Sequence, residues 1–178
     1  MTKSIILIKK GLNVAPLKAA LAIHQEVWNT NTVRTAAPTS PHRMIDDIWV
    51  RFAEDYRDSY KQHDAVWYDV AKVLPVEALA NEVLSFFPGK LGGILITRVP
   101  AGKMVLPHTD GGWHAANFHK IGVSVAANHQ QAFCFDETFL RTEVGDAFWF
   151  DNSKSHWVQN VSDEDRITCI ICIQPQEG

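Results

Sequence analysis

The spacing of apolar residues changes at Leu91, and that change limits the folds open to this chain. Before it, two segments repeat at helical spacing. Leu17, Ala20, Leu21, His24, Val27 and Trp28 predict a helix over about 16–28, with Pro16 at the start, where a missing N–H does no harm. Val76, Leu79, Ala80, Val83, Leu84 and Phe87 predict a second helix, opened by Pro75 and stopped by Pro88-Gly89. After Leu91 the period is that of strands: short apolar or β-branched stretches at 91–99, 103–107, 121–127, 131–136, 139–144, 147–150, 156–161 and 166–174 are divided by Gly, Asp, Asn and Pro turns. This pattern predicts an α+β fold, a double-stranded β-helix of the jelly-roll, cupin-like type, with N-terminal helices backing one sheet.

The remaining segments fit around that frame. Ser4–Ile8 and 45–52 have strand character, whereas 29–43 holds turn formers and two prolines without an apolar period and predicts a loop. The charged and aromatic stretch 53–64 predicts a solvated turn. At 178 residues, with no repeat or composition break, the expectation is one domain over 1–178: helical support and substrate loops in 1–90, and a jelly-roll core in 91–174.

Composition excludes several classes of function. A net charge of -3 and a pI near 6.2 give no broad basic surface for a nucleic-acid backbone, which argues against extended nucleic-acid binding. No apolar run approaches the length of a membrane span, and the start of the chain lacks the apolar core and cleavage site of a signal peptide, so a cytoplasmic location is expected. Cys134, Cys169 and Cys172 form neither an even disulfide framework nor a zinc knuckle. Cys169 and Cys172 share a Cys-x-x-Cys spacing, but in the strand Ile167 to Ile173 residues three apart face opposite ways, so both are expected to be ordinary buried thiols.

Four residues in the stranded half carry chemistry. His108 and Asp110 are two positions apart, so on an extended segment both side chains project from one face. His156 follows after several strands, the interval a jelly roll needs to return a late strand beside an early one. Two imidazoles and a carboxylate, with the opposite face of the metal open, are the ligand set of non-haem Fe(II) oxygenases. Arg166 follows His156 by ten residues, at the start of the last strand. There its guanidinium can point into the barrel and hold a carboxylate bidentately. His114, His119 and His129 lack a carboxylate neighbour and a later partner, and are not expected to bind metal. Trp113, Trp149 and Trp157 are expected to pack rather than to line a channel, and Asn152 and Ser155 fit equally as turn formers or as supports for the imidazoles.

The runs Arg98-Val99-Pro100-Ala101-Gly102-Lys103, Pro107-His108-Thr109-Asp110, Gly145 to Asn152 and His156 to Ile167 resemble the aspartyl/asparaginyl β-hydroxylase-like branch of the Fe(II)/2-oxoglutarate-dependent oxygenases. The resemblance covers about 91–174, and its most specific part is the closing segment with its His, its Asn-Val-Ser-Asp turn and its Arg. It implies that His108, Asp110 and His156 ligate Fe(II), that Arg166 pairs with the distal carboxylate of 2-oxoglutarate, and that Lys120 lies near the cosubstrate. It further implies a dioxygenase that uses O2 to hydroxylate a C–H bond of an amino acid, a peptidyl side chain or a small polar metabolite, releasing succinate and CO2. The rival readings are a cupin-like metalloenzyme without 2-oxoglutarate, a binding module with a vestigial metal site, and an oxygenase acting on a flipped base. The sequence leaves the substrate and the oligomeric state open.

Overall fold

The computed structural model describes residues 3–55 and 60–175. Its elements in chain order are β1 (Ile5–Lys9), α1 (Ala15–Ile23), β2 (Asp46–Ala53), β3 (Ala65–Trp67), α2 (Val76–Phe86), β4 (Gly89–Val99), β5 (Met104–His108), α3 (Gly112–Asn117), β6 (His119–Ala126), β7 (Gln131–Phe135), β8 (Phe139–Leu140), β9 (Ala147–Phe150), β10 (His156–Asn160) and β11 (Arg166–Pro175). The strands form a seven-stranded sheet ordered β1-β9-β6-β11-β4-β2-β3 and a four-stranded sheet ordered β5-β10-β7-β8. Every pairing is antiparallel. Two such sheets, with consecutive strands passing from one to the other, make the double-stranded β-helix.

Alternation along the strands sorts side chains between two cores. Ile121, Val123 and Val125 of β6, with Cys169, Ile171 and Ile173 of β11, join Leu17 and Leu21 of α1 and Leu79 and Val83 of α2 in one buried cluster. Burying each such aliphatic side chain contributes about 1.5–3 kcal/mol, so helices that are short in isolation are held by the sheet. The other face of the same strands carries Lys120, Gly122, Ser124, Arg166, Thr168, Ile170 and Cys172. This face looks toward the four-stranded sheet, whose Phe133, Phe135 and Val158 pack against Phe148 and Phe150 of β9. The functional groups therefore sit on the face opposite the helices.

Several boundaries differ from the sequence reading, for local reasons. The first helix stops at Ile23, because His24 leaves helical geometry (φ -98, ψ 67), and a 3-10 turn at Gln25–Val27 continues the apolar spacing as far as Trp28. The segment 139–144 forms a strand only at Phe139–Leu140. In the stretch read as a solvated turn, residues 56–59 lie outside the described residues, while β3 follows at Ala65–Trp67 and pairs with the end of β2. Residues 112–117, between β5 and β6, form the short helix α3, to which the sequence reading assigned no element. The Cys-x-x-Cys pair is buried and unbonded as expected, with the Cys169 thiol pushed by burial up to about 12.

Candidate metal centre and adjoining cavity

His108 ends β5 and His156 begins β10, and the two residues are direct cross-strand partners. Their ring centroids stand 4.4 Å apart. Asp110 lies two residues past His108, beyond the end of the strand, so the sequence argument of an extended His-x-Asp placed it in the right neighbourhood for an incomplete reason. The Asp110 backbone N–H donates to the Asn152 carbonyl at 3.0 Å, and that bond, rather than strand geometry, fixes its position. Asn152 also donates through its side chain to the Ala115 carbonyl at 2.9 Å, which ties α3 to the same corner.

One ligand atom from each of His108, Asp110 and His156 lies within 4.8 Å of the others. Each imidazole places Nδ1 against a backbone carbonyl, His108 on Leu106 at 2.8 Å and His156 on Lys154 at 2.9 Å. Nδ1 therefore carries the proton and donates, and each Nε2 keeps a lone pair directed at Asp110, 3.6 Å and 3.9 Å from its carboxylate oxygens. Burial pulls the His156 pKa down, partly offset by Asp110, and keeps the ring neutral, the form a cation needs. Burial pushes the Asp110 carboxyl up, but Lys120, His108 and His156 outweigh it and hold the group well below the usual carboxylate range. Two imidazole nitrogens and one carboxylate, converging with both rings already oriented by backbone carbonyls, can hold one divalent ion.

The remaining candidates fall in two places. Arg166 is 1% exposed on the interior face of β11. Its Nη1 reaches Thr142 Oγ1 at a long 3.4 Å, while Nη2 has no partner. Burial pulls this guanidinium down to about 10, still charged at neutral pH. A buried cation with no anionic partner among the described residues is costly. Lys120 stands on β6 with its ammonium ion-paired to Asp110. The structure thus brings Lys120 to the carboxylate ligand itself.

Beside Asp110 opens a cavity of about 450 Å³. Its wall includes Arg34, His42, Trp49, Phe52, His114 and Lys120, and Arg166 is not part of it. Sequence reasoning singled out Trp113, Trp149 and Trp157 as the tryptophans to weigh, yet the one that lines this cavity is Trp49. Trp149 packs on the helical core and donates to His119 at 3.0 Å. The 29–43 loop forms one wall and is pinned at both ends. Arg34 makes a bidentate pair with fully buried Asp47 at 2.6 and 3.0 Å, and Leu106 donates to the Pro41 carbonyl at 2.9 Å. His42 meets His108 edge to face at 4.6 Å, and burial with the nearby Arg34 charge holds it neutral. His114, 6% exposed, stacks on Phe118 at 4.2 Å and on His63 at 5.3 Å. It can lie so close to β4 because Gly93 has no side chain: a Cβ there would stand 2.8 Å from Phe52 and 3.1 Å from His114. Among the described residues, His108, Asp110 and His156 are the group of acidic, His or Cys side chains placed to share an ion, and His114 and His119 stand outside it.

The model of the aspartyl/asparaginyl β-hydroxylase family matches residues 74–175, more than half of the chain, and spans all five residues named from the sequence. The chain belongs to that family. As a member it is an oxygenase that works with Fe(II), 2-oxoglutarate and O2. Among solved structures, a viral collagen prolyl hydroxylase from Paramecium Bursaria Chlorella virus-1, in complex with 2-oxoglutarate, aligns at a TM-score of 0.57 and 12% identity over 98% of this chain and 97% of its own. A prolyl hydroxylase from Trichoplax adhaerens, bound to a hypoxia inducible factor peptide fragment, aligns at 0.57 and 12% identity over 98% and 85%. An oxidoreductase of the 2OG-Fe(II) oxygenase family from Burkholderia pseudomallei aligns at 0.54 and 12% identity over 75% and 68%. At these identities the likeness speaks for the fold. No curated protein matches the chain in sequence. No helix among the described residues is long and apolar enough to cross a membrane.

Proposed function

We propose that this chain is a one-domain hydroxylase in which His108, Asp110 and His156 hold Fe(II) and Arg166 receives the distal carboxylate of 2-oxoglutarate. The observation that carries the reading is the pairing of the two halves of the site. A His-Asp-His cluster with an ionised carboxylate stands on one side, and a guanidinium with an unpartnered Nη2 stands buried on the other. A keto diacid supplies both missing pieces, a chelating end for the metal and a carboxylate for the arginine. When bound, iron and cosubstrate together supply oxidative decarboxylation, giving succinate and CO2, and the oxidising power to hydroxylate a C–H bond. The chain's own residues do the rest. The Leu106 and Lys154 carbonyls orient the two imidazoles, and the Asn152 carbonyl holds Asp110. Lys120 keeps the Asp110 carboxylate ionised, and Arg166 orients the cosubstrate along the barrel.

The substrate we infer is compact, an amino acid, a peptidyl side chain or a small metabolite, bound in the cavity beside Asp110. The test is turnover. Wild-type protein with Fe(II), 2-oxoglutarate and O2 should release succinate in proportion to cosubstrate consumed, and His108→Ala should lose both iron and turnover. Stoichiometric iron with no 2-oxoglutarate consumption under any substrate would favour a cupin-like metalloenzyme instead.

A further inference from the structure

The wall of the cavity is unusual in what its polar groups have left to offer. Arg34 uses Nε and Nη2 on Asp47, which leaves its remaining N–H donors unspent. Trp49 Nε1 is buried without a partner. His114 accepts from the Gly93 N–H at 3.4 Å through Nε2, so its proton lies on Nδ1, and that N–H also has no partner. Between these groups the wall carries apolar Val33, Phe52, Leu95 and Ile170, with His42 and Tyr60 also on the lining. The carboxylate that lines it, Asp110, is committed to the metal face and to Lys120. A ligand that fills this space must bring acceptors to three idle donors, because buried donors left unpaired are costly.

Charge points the same way. With Fe(II) and the 2-oxoglutarate dianion in place, the metal, Arg34, Lys120 and Arg166 exceed Asp47, Asp110 and the cosubstrate by one positive charge. A single carboxylate restores balance, and a planar guanidinium fork matches it in shape. The fork is also pre-set. Asp47 is fully buried, its N–H is held by Asn29 Oδ1 at 3.1 Å and its carbonyl by Asn29 N–H at 2.8 Å, so Arg34 loses little freedom on binding.

We propose that the cavity takes a substrate with one carboxylate on an apolar body, the carboxylate anchored by Arg34 with the Trp49 indole N–H beside it. This rests on the reading of His108, Asp110 and His156 as the metal face, and it assigns substrate choice to Arg34 and Trp49, which precede the segment matched by the family model. Arg34 and Trp49 set specificity, and the barrel supplies the oxidant.

The test is anaerobic calorimetry on Fe(II) protein saturated with 2-oxoglutarate, titrated with three probes of one skeleton: 3-phenylpropionate, 3-phenylpropanamide and 3-phenylpropylamine. The acid should bind at least about tenfold more tightly than the amide, and the amine should not bind. Arg34→Gln alone strands buried Asp47, so the informative variant is Arg34→Gln with Asp47→Asn, in which the acid should fall to the affinity of the amide. Trp49→Phe, which removes one N–H and no charge, should weaken the acid by about threefold to tenfold and keeps the test sharp if the double variant does not fold. Equal binding of acid and amine, failure of all three to bind, or an unchanged acid affinity in both variants would overturn the proposal. So would an acid that binds only without 2-oxoglutarate, since it would then occupy the cosubstrate's place. The same titration on metal-free protein separates the two readings. Arg34-dependent acid binding in a protein that takes up no iron keeps the anchor and discards the hydroxylase, whereas iron and cosubstrate uptake without acid selectivity does the reverse.

Discussion

Arg34 and Arg166 both reach interior space, and they are arranged in opposite ways. On the wall made by the 29–43 loop and β2, Arg34 is locked to Asp47, an acid supplied by the fold itself. On the interior face of β11, Arg166 is more deeply buried, has no acid partner, and keeps one nitrogen without a hydrogen bond. A fold can carry the first at modest cost, because the pair neutralises itself. The second is destabilising until something binds. The difference separates a charge with an acid of its own from a charge to which the fold gives none.

The contrast has consequences of opposite sign. The largest effect is expected where the self-contained pair is broken. Asp47→Ala leaves Arg34 without its acid and should cost about 3–5 kcal/mol in urea unfolding, with metal and cosubstrate absent. Arg166→Met should behave differently in the same assay. Replacing an unpaired buried cation by an apolar side chain should leave the metal-free protein as stable as wild type or more so, while 2-oxoglutarate affinity falls by about 2–5 kcal/mol. A loss of metal-free stability as large as that of Asp47→Ala would erase the distinction. Gly93→Ala sharpens the comparison from the cavity side. The added methyl meets Phe52 and His114 and should cost about 1–3 kcal/mol of stability, yet leave cosubstrate affinity untouched because Arg166 does not line that space.

At neutral pH the smallest predicted effect is that of His114, whose contribution shows only as pH falls. Burial holds His114 down to about 3, against about 6.5 for an unperturbed histidine. Between these values the unfolded chain binds a proton that the folded chain refuses, so stability is intact above pH 6.5 and falls as pH drops toward 3. The slope from this one group is about 1.4 kcal/mol per pH unit at its steepest. His114→Gln should flatten the acid limb of a stability profile measured by denaturant unfolding, and an unchanged limb would mean that this ring is not buried neutral in solution.

The barrel was legible in the sequence because its strands announce themselves. Alternation in β6 and β11, with helix-facing Ile121, Val123, Cys169 and Ile171 set against interior Lys120 and Arg166, is a period-two signal that survives without tertiary context. The metal cluster was legible because its chemistry needs two residue types at fixed intervals along strands that pair: His108 opposite His156 is a register that a jelly roll enforces. The cavity was not legible. Arg34 sits in a loop with no period, Trp49 is one aromatic in an ordinary strand, and Asp47 reads as a surface acid until the fold buries it. Their roles arise from Asp47 meeting Asn29 across 18 residues of chain and Gly93 meeting His114 across 21, and spacing along the sequence carries no trace of such contacts. The short α3 was missed for a related reason, since six residues beginning Gly-Trp-His give no helical period to detect.

The most direct measurement is the visible charge-transfer band formed when 2-oxoglutarate is titrated anaerobically into the Fe(II) protein, wild type against Arg166→Met, with iron content determined in both. Equal iron in the two proteins, a saturable band in wild type, and a midpoint shifted by at least about thirtyfold in the variant are the expected result. Equal iron with the same midpoint in both would contradict it, because the unpaired arginine would then have no part in holding the cosubstrate.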